Sequence, residues 1–313
     1  MTKTAKLNLT FLILTIISIG GSYAYALLTK DMELPVYVDL LVAQLLILLP
    51  VGGYVTKEHI NLHREIRHRR LGVGSLLCLV GIMILSMPLL SFLNLLSSMF
   101  VPNAAADLAM QMTGGPGWLN ILFLAVIPAI SEEFVFRGVF FHGYRSHGFW
   151  KAALVSGLIF GLMHLNFNQF SYGFALGVIF AAVVEASGSI YASMVIHFLI
   201  NFQSAQAINA LTALTESGAA ESSTLEISGI FQQTYMVTAI VIIGVVAVVT
   251  TALLVLLVKL LAKLSDREDY FAWVLHGGEK EALEKRGPRR LIDPYFIGGV
   301  AVCIAFMVFR LLV

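Results

Sequence analysis

The sequence predicts an all-α fold: a polytopic transmembrane helix bundle of about eight to nine spans, with its N-terminus in the cytoplasm. Three observations carry this. Of 313 residues, 58% are hydrophobic and only 12% are charged, whereas a soluble domain is about a quarter charged. Apolar runs close to the twenty or so residues that cross a bilayer recur along the chain. The basic residues gather in alternate loops. With a formal net charge of +1, this composition excludes a soluble enzyme, a disordered chain and a nucleic-acid binder acting through net basic charge.

Residues 7–28 follow Lys3 and Lys6. They are long for a signal-peptide core and lack a clear cleavage site, so they read as an uncleaved first span. Further spans are expected at 36–56, 73–96, 117–141, 152–166, 171–187, 189–205, 234–258 and 294–313. A backbone in hydrocarbon must satisfy its own hydrogen bonds, and runs of this length do so as helices rather than barrel strands. The chain divides into N-terminal helices with a basic loop (1–116), a helical core (117–205), and a C-terminal part (206–313). The last comprises an outer loop, a cytoplasmic segment and the final helices. Segments 1–6, 57–72, 142–151 and 259–293 hold seventeen of the twenty Lys and Arg residues, which places them inside. The loop 206–233 carries Glu216, Glu221 and Glu226 with no Lys or Arg, as an outer loop should.

The basic stretch 57–72 reads as a loop that fixes topology and touches anionic head groups, not as a nucleic-acid contact. Segment 259–293 mixes basic and acidic residues and reads as a solvated connector with a short amphipathic helix around Glu279–Arg286. Cys78 and Cys303 sit in apolar runs and define neither a disulfide framework nor a metal cluster.

Ionisable groups at membrane depth are costly, so each is a functional candidate. Six of the eight histidines, including His142 and His147, fall in loops or at span edges; His164 and His197 do not. Glu132 and Glu133 are the carboxylates well inside a span, and Glu185 lies at a span end before a Ser-Gly-Ser turn, where an interfacial or capping role is expected. Glu133 and Arg137, four residues apart, share a helix face and are expected to pair. Glu132 lies about 100° around the helix and is left without that partner. In an apolar setting such a carboxylate suits a general base working near neutral pH. Phe160 with His164, and His197 with Asn201, repeat the spacing of four on two further helices. Measured from the inner span ends at about 1.5 Å per residue, Glu132, His164 and His197 lie about 14, 18 and 12 Å deep, in one slab reachable from the cytoplasm. One Glu and two His could coordinate Zn²⁺ and acidify a bound water, or activate water without metal, with Asn201 donating to a developing oxyanion.

EE-x-x-x-R at Glu132, Glu133 and Arg137, F-x-x-x-H at Phe160 and His164, and H-x-x-x-N at His197 and Asn201 stand in the order found in one family. Over roughly residues 118–202 the chain resembles the CPBP family, the CAAX proteases and bacteriocin-processing enzymes also called the Abi family. These are intramembrane endopeptidases related to the type II CAAX prenyl endopeptidase. The resemblance implies that Glu132 activates water with His164 as partner. It places His197 and Asn201 around the water or oxyanion, gives Glu133 and Arg137 the task of holding the site's shape, and packs Phe160 beneath. It leaves open whether zinc, held by Glu132, His164 and His197, takes part. It implies a multi-pass protein of the cell membrane, or of an endomembrane in a eukaryote, with a site opening to the cytoplasm. The substrate would be a membrane-associated or lipidated peptide or protein, and no nucleic acid is involved.

Two other readings compete. A transporter or channel would relay protons or bind an ion through the same buried groups, and it requires polar residues lining a path across the membrane. A noncatalytic immunity or scaffold protein would bind peptides without cutting them.

Overall fold

The computed structural model describes residues 1–61, 66, 68–217, 229–279 and 290–312, with the backbone alone described over 229–236. Among these there are eleven helices and no strand. They are α1 (Lys3–Thr29), α2 (Val36–Lys57), α3 (Val73–Ser98), α4 (Ala104–Met112), α5 (Gly117–His147), α6 (Phe149–Leu162), α7 (Phe167–Ser187), α8 (Ile190–Glu216), α9 (Gly229–Leu264), α10 (Glu268–Leu275) and α11 (Pro294–Leu312). Seven, namely α1, α2, α3, α5, α7, α11 and the Val237–Leu264 part of α9, are long and apolar enough to cross a membrane. The protein is an all-α polytopic bundle of integral membrane type.

The ends follow local chemistry. Thr2 caps α1 by accepting from Ala5 N, and Asn166 caps α7 by accepting from Gln169 N. Gly188, at φ 67°, ends α7 in the left-handed conformation that glycine adopts at least cost. Two π-helical stretches, Leu122–Val126 and Phe134–Phe141, interrupt α5 on either side of Glu132 and Glu133.

The helices differ in how far they are enclosed. In their most apolar stretches 56% of α7 and 44% of α5 is buried, against 6–22% for the other spanning helices. Helices α5 to α8 thus form an inner core, while α1 to α3, α9 and α11 turn apolar faces such as Leu28, Leu77 and Val248 outward. Helix α9 lies along α3, and α1 packs against α2 and α11. Where α6 crosses α7 the backbones nearly touch: a Cβ on Gly177 would stand 2.5 Å from Gly157 Cα.

Several boundaries differ from expectation. The segment 152–166 is only a fourteen-residue helix, α6, ending at Leu162, so His164 lies in the turn beyond it. The Phe160–His164 spacing is therefore not a helix-face relationship. Helix α8 continues eleven residues past 205, to Glu216, so the start of the expected outer loop is helical. Its polar tail keeps it outside the seven, although it sits in the core. The first residues of the 259–293 connector continue α9 to Leu264 and α10 follows, while the expected helix around Glu279–Arg286 falls outside the described residues apart from Glu279. His147 is not at a solvated edge: it is 6% exposed, and its Nε2 lies 2.8 Å from Thr4 Oγ1, tying α1 to the end of α5.

Glu185 is corrected most. It is fully buried, for it forms a bidentate pair with Arg145, Nε to Oε2 at 2.9 Å and Nη2 to Oε1 at 3.0 Å. Tyr270 of α10 donates to it at 2.6 Å. A carboxylate without water needs such compensation, so Glu185 fastens the connector to the core rather than capping a helix.

Candidate active site

The site grows from the junction of the two π stretches in α5. Glu133 and Arg137 are entirely enclosed, and Arg137 Nη1 donates to Glu133 Oε1 at 2.9 Å. Two guanidinium nitrogens, Nε and Nη2, have no hydrogen-bond partner among the described residues. Their compensation comes from ring faces: the guanidinium carbon lies 4.4 Å from the Phe160 centroid and 4.9 Å from that of Phe180. A planar, weakly hydrated cation between two aromatic faces recovers part of what water would have supplied. Phe160 therefore holds Arg137 as well as packing beneath the site.

The same Glu133 oxygen accepts a second bond, from His197 Nδ1 at 2.8 Å. A carboxylate only accepts, so Nδ1 carries a proton, and in the neutral form of the ring Nε2 presents its lone pair. That Nε2 is 4.0 Å from Glu132 Oε2. The gap is too long for a hydrogen bond, and a water about 2.8 Å from each atom would bridge it. The other oxygen of Glu132, Oε1, accepts from Gln44 Nε2 of α2 at 2.9 Å. Both neighbouring glutamates thus approach His197 of α8, and the step of about 100° between them brings Glu132 to α2 as well.

His164 leaves the end of α6 with its Nδ1 2.9 Å from Phe160 O, and its ring stands edge-on to Phe160 at 5.1 Å between centroids. The carbonyl only accepts, so here too Nε2 offers a lone pair. Phe160 is also 6.0 Å from the His197 ring, so one phenyl ring neighbours both imidazoles. Asn201 lies on the same face of α8 as His197, toward α5, and its Nδ2 donates to Leu124 O at 2.9 Å. Pro128 has no N–H to give to this carbonyl four residues earlier, and Asn201 supplies the donor in its place.

The sequence-derived candidates thus fall into two sets. Glu133, Arg137 and His197 are buried, whereas Glu132, His164 and Asn201 retain partial exposure. Among the described residues no three His, Cys, Asp or Glu side chains gather closely enough to hold a metal ion. Both imidazoles spend Nδ1 on a fixed partner and leave Nε2 outward, an arrangement that suits a metal ligand as much as a proton acceptor. Gln44 and Ser131 were not singled out from the sequence. Their signal was an amide in the middle of an otherwise apolar span and a hydroxyl directly before the two glutamates.

Residues 114–203 match the family model described as type II CAAX prenyl endopeptidase Rce1-like. The chain is 35% identical over 88 residues to the membrane-embedded CAAX protease MroQ of Staphylococcus aureus, covering 26% of this chain and 36% of that protein. It is 29% identical over 84 residues to YdiL of Bacillus subtilis, provisionally named a membrane peptidase, covering 26% and 34%. The alignments span about a third of the length of these curated relatives. No solved structure matches the chain.

Proposed function

We propose that this chain, which belongs to the CPBP family through residues 114–203, is an intramembrane endopeptidase that cleaves a membrane-associated or lipidated peptide with a water activated by Glu132 and His197. The observation that carries the reading is the 4.0 Å approach of Glu132 Oε2 to His197 Nε2, with His197 fixed from behind by Glu133. Both facing atoms are acceptors, so a water between them donates a hydrogen to each and turns its lone pairs outward.

As the water oxygen bonds to the peptide carbonyl carbon, Glu132 takes its proton and the carbonyl oxygen becomes an oxyanion. The second N–H of the Asn201 amide, not spent on Leu124 O, is the donor assigned to that oxygen in this reading. Glu132 then passes its proton to the amide nitrogen, the C–N bond breaks, and a carboxylic acid and an amine leave. His164, with Nδ1 held by Phe160 O, offers Nε2 as a further proton acceptor at the exposed edge. The basic residues in segments 1–6, 57–72, 142–151 and 259–293 support an orientation in which this edge opens toward the cytoplasm.

The test uses the full chain purified into lipid nanodiscs. Wild-type protein is expected to cleave membrane-anchored peptides, while folded Glu132→Gln and His197→Ala do not. Retained turnover in either variant removes that residue from the mechanism. Proteomic comparison of membranes holding wild-type or Glu132→Gln protein identifies the substrate as the species that accumulates only with the variant.

A further inference from the structure

We propose that Gln44, which lies on α2 outside the family-matched residues 114–203, is a positioning residue for Glu132, and that Ser131 fixes the Gln44 amide for this task. The proposal rests on the reading of Glu132 as the water-activating base.

Gln44 sits in the middle part of α2, eight residues from the helix start and thirteen from its end, among Leu, Val, Ala and Ile. An amide placed there against lipid would be costly without partners. It has two, both on the same turn of α5: Nε2 to Glu132 Oε1 at 2.9 Å, and Oε1 to Ser131 Oγ at 2.5 Å. Chemistry sets the direction of each bond. An ionised Glu132 only accepts, so the NH₂ end of Gln44 must face it, leaving the carbonyl toward Ser131. A carbonyl also only accepts, so the Ser131 hydroxyl turns its hydrogen to Gln44. It does so although Ile127 O lies 2.8 Å away as an alternative acceptor. The three groups form a chain from Ser131 hydroxyl to Gln44 amide to Glu132 carboxylate in which every direction is fixed.

The consequence falls on the other carboxylate oxygen. With Oε1 tied to α2, the rotation of the Glu132 carboxyl plane is set, and Oε2 is the atom presented to His197 Nε2 at 4.0 Å. Without Gln44 the carboxylate turns freely about its terminal torsion, which is broad and roughly two-fold. The gap that seats the water is then occupied only part of the time. Placement of a reacting group within a fraction of an ångström is worth orders of magnitude in rate, so Gln44 should act on turnover rather than on substrate affinity.

The experiment measures kcat, KM and thermal unfolding of wild type, Gln44→Met, Ser131→Ala and the double variant in nanodiscs. Methionine keeps the length and volume of the side chain without its hydrogen bonds. Gln44→Met is expected to lower kcat about ten- to a hundredfold, with KM within twofold and the unfolding midpoint unchanged. Ser131→Ala lowers kcat less, and the double variant equals Gln44→Met, because Ser131 acts through Gln44. A Gln44→Met kcat within twofold of wild type, or additive losses, overturns the proposal; so does a fall in kcat that tracks the unfolding midpoint.

An infrared difference spectrum tests the same contact apart from activity. The carboxylate bands lost in Glu132→Gln are expected to shift in Gln44→Met, and unshifted bands overturn the proposal even in a protein that cleaves. Absence of cleavage by wild type would instead count against the endopeptidase reading, and the infrared bands would still decide the contact.

Discussion

Glu133 grips the His197 ring through Nδ1 at 2.8 Å, in a setting where the two side chains are 0% and 5% exposed. This bond places the proton of the neutral His197 ring on Nδ1, the tautomer in which Nε2 faces Glu132 with a lone pair. Arg137 shares the same Glu133 oxygen, so the electrostatics of the support and the aim of the base are one problem. Replacing Glu133 with Gln should lower turnover about 10²–10⁴-fold, the scale seen when the group orienting a catalytic imidazole loses its charge. It should also destabilise the fold by about 3–5 kcal/mol, because Arg137 is left as an uncompensated buried charge. The double variant Glu133→Gln, Arg137→Met removes that charge, so thermal unfolding in detergent should recover while turnover does not. Recovery of both would mean that Glu133 serves the fold alone.

Asn201 has two tasks that can be separated. Its amide satisfies the Leu124 carbonyl opposite Pro128, and the proposal gives its second N–H to the oxyanion. Asn201→Ala should lower both the unfolding midpoint and turnover, the latter about 10²–10³-fold. Adding Pro128→Ala returns an N–H to that turn of α5. The pair should regain the midpoint and leave turnover low. If turnover returns with stability, Asn201 has no part in the chemistry.

What the sequence reveals and what it hides follow from the cost of charge in hydrocarbon. Glu132, Glu133, Arg137, His164 and His197 stand out because an ionisable residue inside an apolar run is rarely tolerated without a reason. Gln44 carries no charge and lies 88 residues from Glu132, so no spacing rule links it to the site. The second bond of Glu133, to His197, is equally long-range; the i, i+4 pattern accounts for the Arg137 partner and is silent about the other. Arg145 counts as a loop cation when only its position is known. Its pairing with Glu185, forty residues on, depends on how α7 returns to the end of α5. Long apolar runs locate α1 to α3 closely. The ends of α6 and α8 depart from the apolar runs, because burial in protein rather than in lipid lets short or polar stretches remain helical.

Chelation provides a direct check on the metal-free chemistry. Among the described residues no three His, Cys, Asp or Glu side chains gather closely enough to hold a metal ion, and the proposed activation of water by Glu132 and His197 uses none. Turnover in nanodiscs should therefore persist after prolonged dialysis against a strong zinc chelator and should not rise on adding Zn²⁺. Activity lost on chelation and restored by stoichiometric zinc would overturn the Glu132–His197 mechanism.

The Glu185 cluster predicts how the connector is attached. Arg145 joins Glu185 to Glu279, Tyr270 donates to Glu185, and Arg267 Nε donates to the Glu185 carbonyl at 3.1 Å. Arg145→Ala removes the two-pronged partner of a buried carboxylate, leaving it Tyr270 and the more distant Arg267 at 3.9 Å, and should cost up to about 3–5 kcal/mol. Arg145→Lys should recover only part of this, since an ammonium cannot form the two-pronged bond. In both variants amide hydrogen exchange over Glu268–Leu275 should quicken relative to α7, and unchanged protection there would show that α10 is held by other contacts.

The α6–α7 crossing sets the position of His164, and its glycines make that dependence measurable. Gly157 and Gly161 on α6 meet Gly173 and Gly177 on α7, each pair four residues apart, a spacing that lets helices in membranes approach closely. A Cβ on Gly177 would come within 2.5 Å of Gly157 Cα, and one on Gly161 within 2.9 Å of Phe170 O and Phe174 N. These neighbours are backbone and cannot rotate aside, so Gly177→Ala must push the helices apart. Phe160 and His164, on or just past the end of α6, move with it. Turnover should fall about a hundredfold, as for ångström-scale misplacement of reacting groups, and the unfolding midpoint should drop. Gly52→Ala is the matched control, because a Cβ there meets nothing within 4 Å and alanine is the better helix former by about 1 kcal/mol. It should leave turnover unchanged and raise the midpoint slightly. If Gly177→Ala behaves like Gly52→Ala, the close crossing of α6 and α7 does not determine where His164 stands.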